Sequence, residues 1–542
     1  MRPSTSLVTL GLIVSPLAVN AGPVQSPRVR LPFDAAQQRA AVQQIFLTSY
    51  EAYKTYAWGN DDLTPISKSF ANTRNGWGAS IVDSLSTMFV MGLDDELEDA
   101  IHFASQIDFS RSKTNSTVSI FESTIRYVAS LLSTYELTGF KHPQLLAKAK
   151  QLGDKLSHGW VNGQAVPFGF LDFSTDTAQH DTSNIAEAGT LSLEFATLSK
   201  YTRNATYSNL AVGSAKHVAQ LAKPLPGLAA QGIDPKSGKF VGGYVTWGGG
   251  SDSYFEYLIK YARLSNTQDP TFVNQWLTAV DSSIKTLAKK STVGNHLYLA
   301  DYDSSGTIRH VGSHLACFHG GNWIFGGRLL NNETIVNYGL QLADACWNTY
   351  AGTATGIGPE AFGFMSSDGN YTGDGQSAEQ ATFYNQKGFY IRDGSYDLRP
   401  EVLESNFYAW RATGDKKYYN RAVTALQSFL KYLPAGVAYD AREDVNDVHS
   451  GTYDHMESFW FAEVLKYLYL TFDDPNRFSL DKYVFNTEAH PFIAPPARRT
   501  YGPGVIETPT SGFASDTISG PLPAISPSLQ HPNGLNDILG IH

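Results

Sequence analysis

An all-α fold of repeated helical hairpins is predicted by three observations in this 542-residue chain. Seven apolar, aromatic-rich stretches recur along almost its whole length, six of them with a carboxylate at or near the first turn. Their openings, at Trp77, Glu122, Asn184, Asp252, His314, Leu398 and His455, stand on average about 63 residues apart, room for two helices and their connections. Amphipathic runs lie between them, and four of the joints share one turn chemistry.

In chain order the stretches are 76–93 (GWGASIVDSLSTMFVMGL), 121–140 (FESTIRYVASLLSTYELTGF), 184–202 (NIAEAGTLSLEFATLSKYT), 251–264 (SDSYFEYLIKYARL), 314–330 (HLACFHGGNWIFGGRLL), 398–415 (LRPEVLESNFYAWRATGD) and 455–474 (HMESFWFAEVLKYLYLTFDD). Most are apolar on nearly every side. A helix without a polar face is buried all round, so these are the predicted inner helices. Residues 142–156, 209–222 and 418–433 carry ordinary one-sided patterns and read as outer helices. Thr138-Gly139, Thr202-Arg203-Asn204, Ser265-Asn266-Thr267 and Thr413-Gly414-Asp415 supply residues that end one helix and cap the next. Ser253 with Glu256 forms a predicted capping box, Pro400-Glu401 suits a helix start, and Glu122 can pair with Arg126 one turn on.

No Pro/Gly/Ser-rich linker interrupts residues 35–493, so one large domain is expected there. A net charge of −10 without any Lys/Arg run argues against a polyanionic partner and excludes nucleic acid. The aromatic share of 13% serves a core and also suits a cleft that stacks sugar rings. Residues 1–21 read as a secretory signal: Arg2, an apolar run from Leu7 to Val19 containing Pro16, then Val19-Asn20-Ala21 before Gly22. That run is too short to span a bilayer, and no other stretch is long enough. Sequons at Asn115, Asn204, Asn332 and Asn370 fit a lumenal route. In an oxidising lumen Cys317 and Cys346 are expected to form a structural disulfide contributing roughly 3–4 kcal/mol. The last 49 residues, 494–542, hold 8 of the 25 prolines and read as an extended tail.

Acid-Ser pairs recur at the inner-helix starts: Asp83-Ser84, Glu122-Ser123, Asp252-Ser253, Glu404-Ser405 and Glu457-Ser458. Each acid alone could be a helix-dipole partner. Together they belong to helices apolar on every side, where an unpaired charge costs several kcal/mol. A shared wet cavity at one end of the helices resolves that conflict, with Arg126, Arg399 and His314 beside the acids and Phe459 and Trp460 as walls. Glycoside hydrolysis needs such a cavity, since one carboxylic acid must protonate the leaving oxygen and another carboxylate must activate water. No EF-hand loop names a metal.

The blocks FESTIR (121–126), SDSYFEYLIK (251–260), HLACF (314–318), LRPEVLES (398–405), SFWFAEVLKYLYL (458–470) and FNTEAHP (485–491) resemble the signature segments of the class I α-1,2-mannosidases, glycoside hydrolase family 47, from about Ala35 to Ile493. The resemblance implies an (α/α)7 barrel of seven inner and seven outer helices; spacing alone also allows an open solenoid. It implies inverting, Ca²⁺-dependent removal of α-1,2-linked mannose from high-mannose N-glycans. Residue by residue it makes Glu122 the acid, acting directly or through a water, Glu401 the base and Asp252 the third catalytic carboxylate and alternative acid. Thr487 matches the calcium ligand. Arg126, Glu187, His314, Arg399, Glu404, Phe459, Glu463 and Glu488 match sugar contacts, and Cys317 with Cys346 the family's disulfide. The N-terminus departs from the membrane-anchored members and favours a secreted or vesicle-lumen form; separately, a monomer is expected. The alternatives are a non-catalytic, mannosidase-like glycan-binding protein and a different helical-toroid enzyme, such as a polysaccharide lyase.

Overall fold

Two rings of helices alternate along the chain. The computed structural model describes residues 20–501 and 513–515, so the signal segment at 1–21 and the tail at 494–542 fall largely outside the described residues. Seven outer helices occupy Ala35–Tyr56, Asp94–Gln106, Pro143–Leu156, Ala205–Gln220, Thr271–Thr286, Glu333–Ala351 and Lys416–Tyr432. Seven inner helices occupy Ala79–Met91, 120–137, 185–202, Asp252–Ser265, 315–329, Glu401–Thr413 and 460–472. The pattern of burial follows the pattern of hydrophobicity. Val402 to Ala412 are all buried on an inner helix, whereas Lys416–Tyr432 buries Tyr418, Tyr419, Ala422, Ala425, Leu426, Ser428 and Phe429 along one face.

The ring is closed. Phe461 of the last inner helix meets the rings of Phe46 and Tyr50 on the first outer helix at 5.3 and 5.9 Å. Trp460 Nε1 donates to Ser49 Oγ at 3.2 Å, and Thr87 Oγ1 of the first inner helix donates to the Phe461 carbonyl at 2.9 Å. An open solenoid would leave those first and last surfaces apart.

At the joints, Gly139, Arg203, Asn266 and Gly414 all take positive φ, and Asn204 and Asp415 cap the helices that follow. At the third joint the cap lies later than expected: the next helix begins at Thr271, whose N–H donates to Asp269 Oδ1. The capping box predicted for Ser253 and Glu256 does not form. Ser253 instead donates its N–H to Asp252, and Glu256 pairs with Lys260 inside the ring. Two inner helices also contain π-turns, at Ser123–Val128 and Trp460–Val464.

The outer-to-inner connections carry short antiparallel strands that the helical reading did not predict. Three-stranded sheets that include Val118–Ser119, Ser183–Asn184 and Val311–Ser313 lead directly into the segments bearing Glu122, Glu187 and His314. The final hairpin, Tyr483–Phe485 with Pro491–Ile493, sends its tip, 486–490, among the inner helices. There Asn486 Nδ2 donates to the Ile125 carbonyl and Glu194 Oε1, Thr487 N donates to Tyr257 Oη, and Lys466 Nζ donates to the Ala489 carbonyl.

Cys317 and Cys346 form the expected disulfide, joining an inner segment to the outer helix that follows it. Asn115 and Asn370 are exposed; Asn204 and Asn332 are half-buried helix caps that use Oδ1 and leave Nδ2 unspent in the capping bond. The start of the tail lies on the barrel, where Arg263 and Asn266 donate to the carbonyls of Pro495 and Pro496. Among the described residues no helix is long and apolar enough to cross a membrane.

Candidate active site

Four of the predicted residues share one feature. Glu122, Asp252, Glu401 and Thr487 are each partly accessible within otherwise buried segments. Glu122 and Glu401 keep 12% side-chain exposure, whereas Asp83 and Glu457, grouped with them by the acid-Ser pattern, keep 0%. Solvent reaches the first pair and not the second. Local structure explains the difference: Glu401 stands at the first position of its helix, Asp252 likewise, and Glu122 one turn after Ser119, whose hydroxyl accepts the Glu122 N–H.

The two guanidiniums organise the floor. Arg126 Nε donates to Glu122 Oε2 at 2.7 Å, and its Nη1 pairs with Glu488 at the hairpin tip. Arg399 Nε donates to Glu360 Oε2 at 2.5 Å. The Phe459 ring lies beside both, 5.5 Å from the Arg126 guanidinium and 5.9 Å from that of Arg399. His314 places Nδ1 2.6 Å from Glu401 Oε2. Glu187 accepts from Ser183 Oγ at 2.7 Å. Gly169 makes room for it, since a Cβ there would stand 2.6 Å from Glu187 Oε2.

The electrostatics split the carboxylates into two kinds. Desolvation, with the charges of Glu256 and Glu401, pushes Asp252 up to about 7. Desolvation acts on Glu401 too, yet the His314 hydrogen bond and the charge of Arg399 outweigh it and hold its carboxyl below the usual range. Burial lifts Glu187 to about 7 and Glu488 to about 8. Burial and then the charges of Glu488, Glu401 and Glu404 push Glu463 well above the carboxylate range; burial, Glu256 and Glu401 do the same to Glu404 against the opposing charge of Lys260.

Parts of the expected cavity are in the wall instead. Asp83 accepts from Ser458 Oγ and faces His490 and Arg126, and Glu457 pairs with Arg74 Nη2 at 2.8 Å. Trp460 is fully buried against the first outer helix and lines nothing. Sequence reasoning passed over Arg74, whose Nε lies 3.8 Å from Glu122, and also Glu256, Lys260, Glu360 and Tyr350. Glu256 was read only as a cap; its spacing from Lys260, one helical turn, was the signal available.

The unbalanced acids also test the fit of a calcium ion. Glu463 lies among Glu401, Glu404 and Glu488, and the nearby cations are shared, Arg126 between Glu122 and Glu488 and Lys260 between Glu256 and, at 3.9 Å, Glu404. Thr487, half-buried between the buried Asn486 and Glu488, carries a hydroxyl and a carbonyl oxygen on the same hairpin tip as Glu488, beside an acid-rich surrounding. A hard divalent cation fits that surrounding. A second group, Asp62, His455 and Glu457, brings its ligand atoms within 4.8 Å of one another. There Arg74 already supplies positive charge. Burial notwithstanding, the charges of Glu457, Asp62 and Asp397 lift His455 to about 10, and an imidazolium is no ligand.

A closed helical toroid whose end gathers carboxylates of opposite proton affinity has the architecture of a carbohydrate-cleaving enzyme. The glycosyl hydrolase family 47 profile matches residues 45–494, and the chain belongs to that family. It is 40% identical over 488 residues to a probable mannosyl-oligosaccharide alpha-1,2-mannosidase 1B of Aspergillus clavatus, covering 84% of this chain and 93% of the relative. It is 37% identical over 517 residues to the mannosyl-oligosaccharide alpha-1,2-mannosidase 1B of Aspergillus phoenicis, covering 90% and 98%. Its fold superimposes on the alpha-1,2-mannosidase of Trichoderma reesei with a TM-score of 0.81 at 35% identity, over 85% of this chain and 99% of that one. That match accords with the (α/α)7 barrel.

Proposed function

We propose that the chain is an inverting, Ca²⁺-dependent exo-α-1,2-mannosidase that trims α-1,2-linked mannose from high-mannose N-glycans in the secretory lumen or outside the cell. Family membership and the names of its relatives support the mannosidase activity. The observation that carries the mechanism is a pair of partly accessible carboxylates at two inner-helix starts of opposed proton affinity, Glu401 hydrogen-bonded to His314 and depressed, Asp252 desolvated and raised to about 7. Carboxyls pushed apart in this way define a base and an acid.

In this reading Glu401, kept ionised by His314 and Arg399, takes a proton from the attacking water. Asp252 holds the proton destined for the leaving oxygen, with Glu122, anchored on Arg126, as the second candidate for that role. Arg126, Arg399, Glu187, Glu404, Glu463 and Glu488 bind and orient hydroxyls of the sugar, and Phe459 gives it an apolar face. Thr487 would hold the calcium, which supplies positive charge among the acids and orients hydroxyl oxygens.

The pH profile of kcat/KM on an α-1,2-linked mannobiose tests the assignment. Glu401 must be ionised, so activity rises as pH climbs through its value, held below the usual carboxylate range. The acid must be protonated, so activity falls as pH climbs through about 7. Asp252→Asn abolishes that falling limb; its survival in Asp252→Asn and loss in Glu122→Gln would transfer the acid role to Glu122.

A further inference from the structure

We propose that the buried Tyr350 phenol is a positioning residue, fixing the ring tautomer of His314 and through it the hydrogen bond that readies Glu401. The inference rests on Glu401 as the base. Family resemblance makes His314 a sugar contact, but its side chain is 0% exposed and both ring nitrogens are occupied by protein groups. Nδ1 lies 2.6 Å from Glu401 Oε2 and Nε2 lies 2.8 Å from the Tyr350 hydroxyl.

Burial pushes the Tyr350 phenol well above its ordinary value, so it keeps a proton that it can donate to Nε2, 2.8 Å away. A phenol donating to Nε2 leaves the proton of a neutral imidazole on Nδ1, where it is donated to Glu401. The opposite tautomer would turn a lone pair toward the carboxylate. This is the arrangement in which an outer group fixes the orientation of a histidine and the histidine tunes the reacting group.

The fold holds the pair in register. Tyr350 lies on the outer helix Glu333–Ala351, stacked on Trp347 with ring centroids 5.5 Å apart. Cys346 precedes it by one turn, and Cys317 follows His314 by three residues, so the disulfide joins the same two elements. Tyr396 also packs on the imidazole, 5.7 Å away; its hydroxyl is hydrogen-bonded to that of Tyr350 and donates to the Arg399 carbonyl. Glu401 is also faced by Arg399, Asp252, Glu404 and Glu463. Replacing Tyr350 by Phe changes none of these charges.

Tyr350→Phe tests the proposal, with wild type and Glu401→Gln as references. The expected result is a fall in kcat of about tenfold with KM within about twofold, and an acid limb displaced upward by about one pH unit. A melting temperature near wild type keeps the comparison free of unfolding. An unmoved acid limb overturns the proposal, whether or not kcat falls, because lost packing alone does not shift it. Substantial turnover in Glu401→Gln would instead remove the base assignment, a separate failure. Should the Tyr350 variant not fold, proton NMR of the wild type decides. A strongly downfield Nδ1–H resonance that disappears in His314→Gln supports the proposal, and its absence in the wild type overturns it.

Discussion

Glu401→Gln is expected to lower kcat on an α-1,2-linked mannobiose by about 10²–10⁴-fold, the range for loss of a general base. The amide keeps the shape of the carboxylate and can still accept from His314, so the helix start at Glu401 and the buried run behind it should persist. KM should change little, because sugar binding is spread over Arg126, Arg399, Glu187, Glu404, Glu463 and Glu488. The steady-state constants of the variant, measured beside its melting curve, check this. Near-normal turnover in a folded variant would remove Glu401 from the base role.

Chelation of calcium is expected to abolish turnover and to lower the melting temperature together. The second effect follows from the charge imbalance. Glu401, Glu404, Glu463 and Glu488 lie together; burial raises the last three, with repulsion from Glu401 adding to it at Glu404 and Glu463 and from Asp83 and Glu122 at Glu488. An ion that binds the folded state alone stabilises it by roughly 2.7 kcal/mol at a hundredfold excess over its dissociation constant. Readdition of Ca²⁺ should restore both properties. Mg²⁺ should do so poorly, since it demands a tighter octahedral shell than one threonine and scattered carboxylates provide. Calorimetry and an activity assay on the same chelated sample check the pair; indifference of both to chelation would contradict the calcium role.

The inner ring was legible in the sequence because burial on every side removes the polar face from a helix, as at 398–415 and 455–474. Left-handed residues at Gly139, Arg203, Asn266 and Gly414 were legible as turn chemistry. Closure was not, since hairpins of equal spacing build a solenoid or a toroid, and only contacts such as Phe461 on Phe46 distinguish them. Within the site, the Glu122–Arg126 pair followed from one-turn spacing. The burial of Asp83 and Glu457 was hidden, because the acid-Ser pattern carries no information on which turn of a helix reaches the open end. Arg74 and Tyr350 were hidden for another reason: each lies outside the helix start it serves, joined to it only by tertiary contact.

The most direct measurement is the anomeric form of the first mannose released from an α-1,2-linked mannobiose, followed by proton NMR before mutarotation. A base that directs water to the face opposite the leaving oxygen yields β-mannose first. Accumulation of α-mannose first would contradict the proposed division of labour between Glu401 and the acid across the ring.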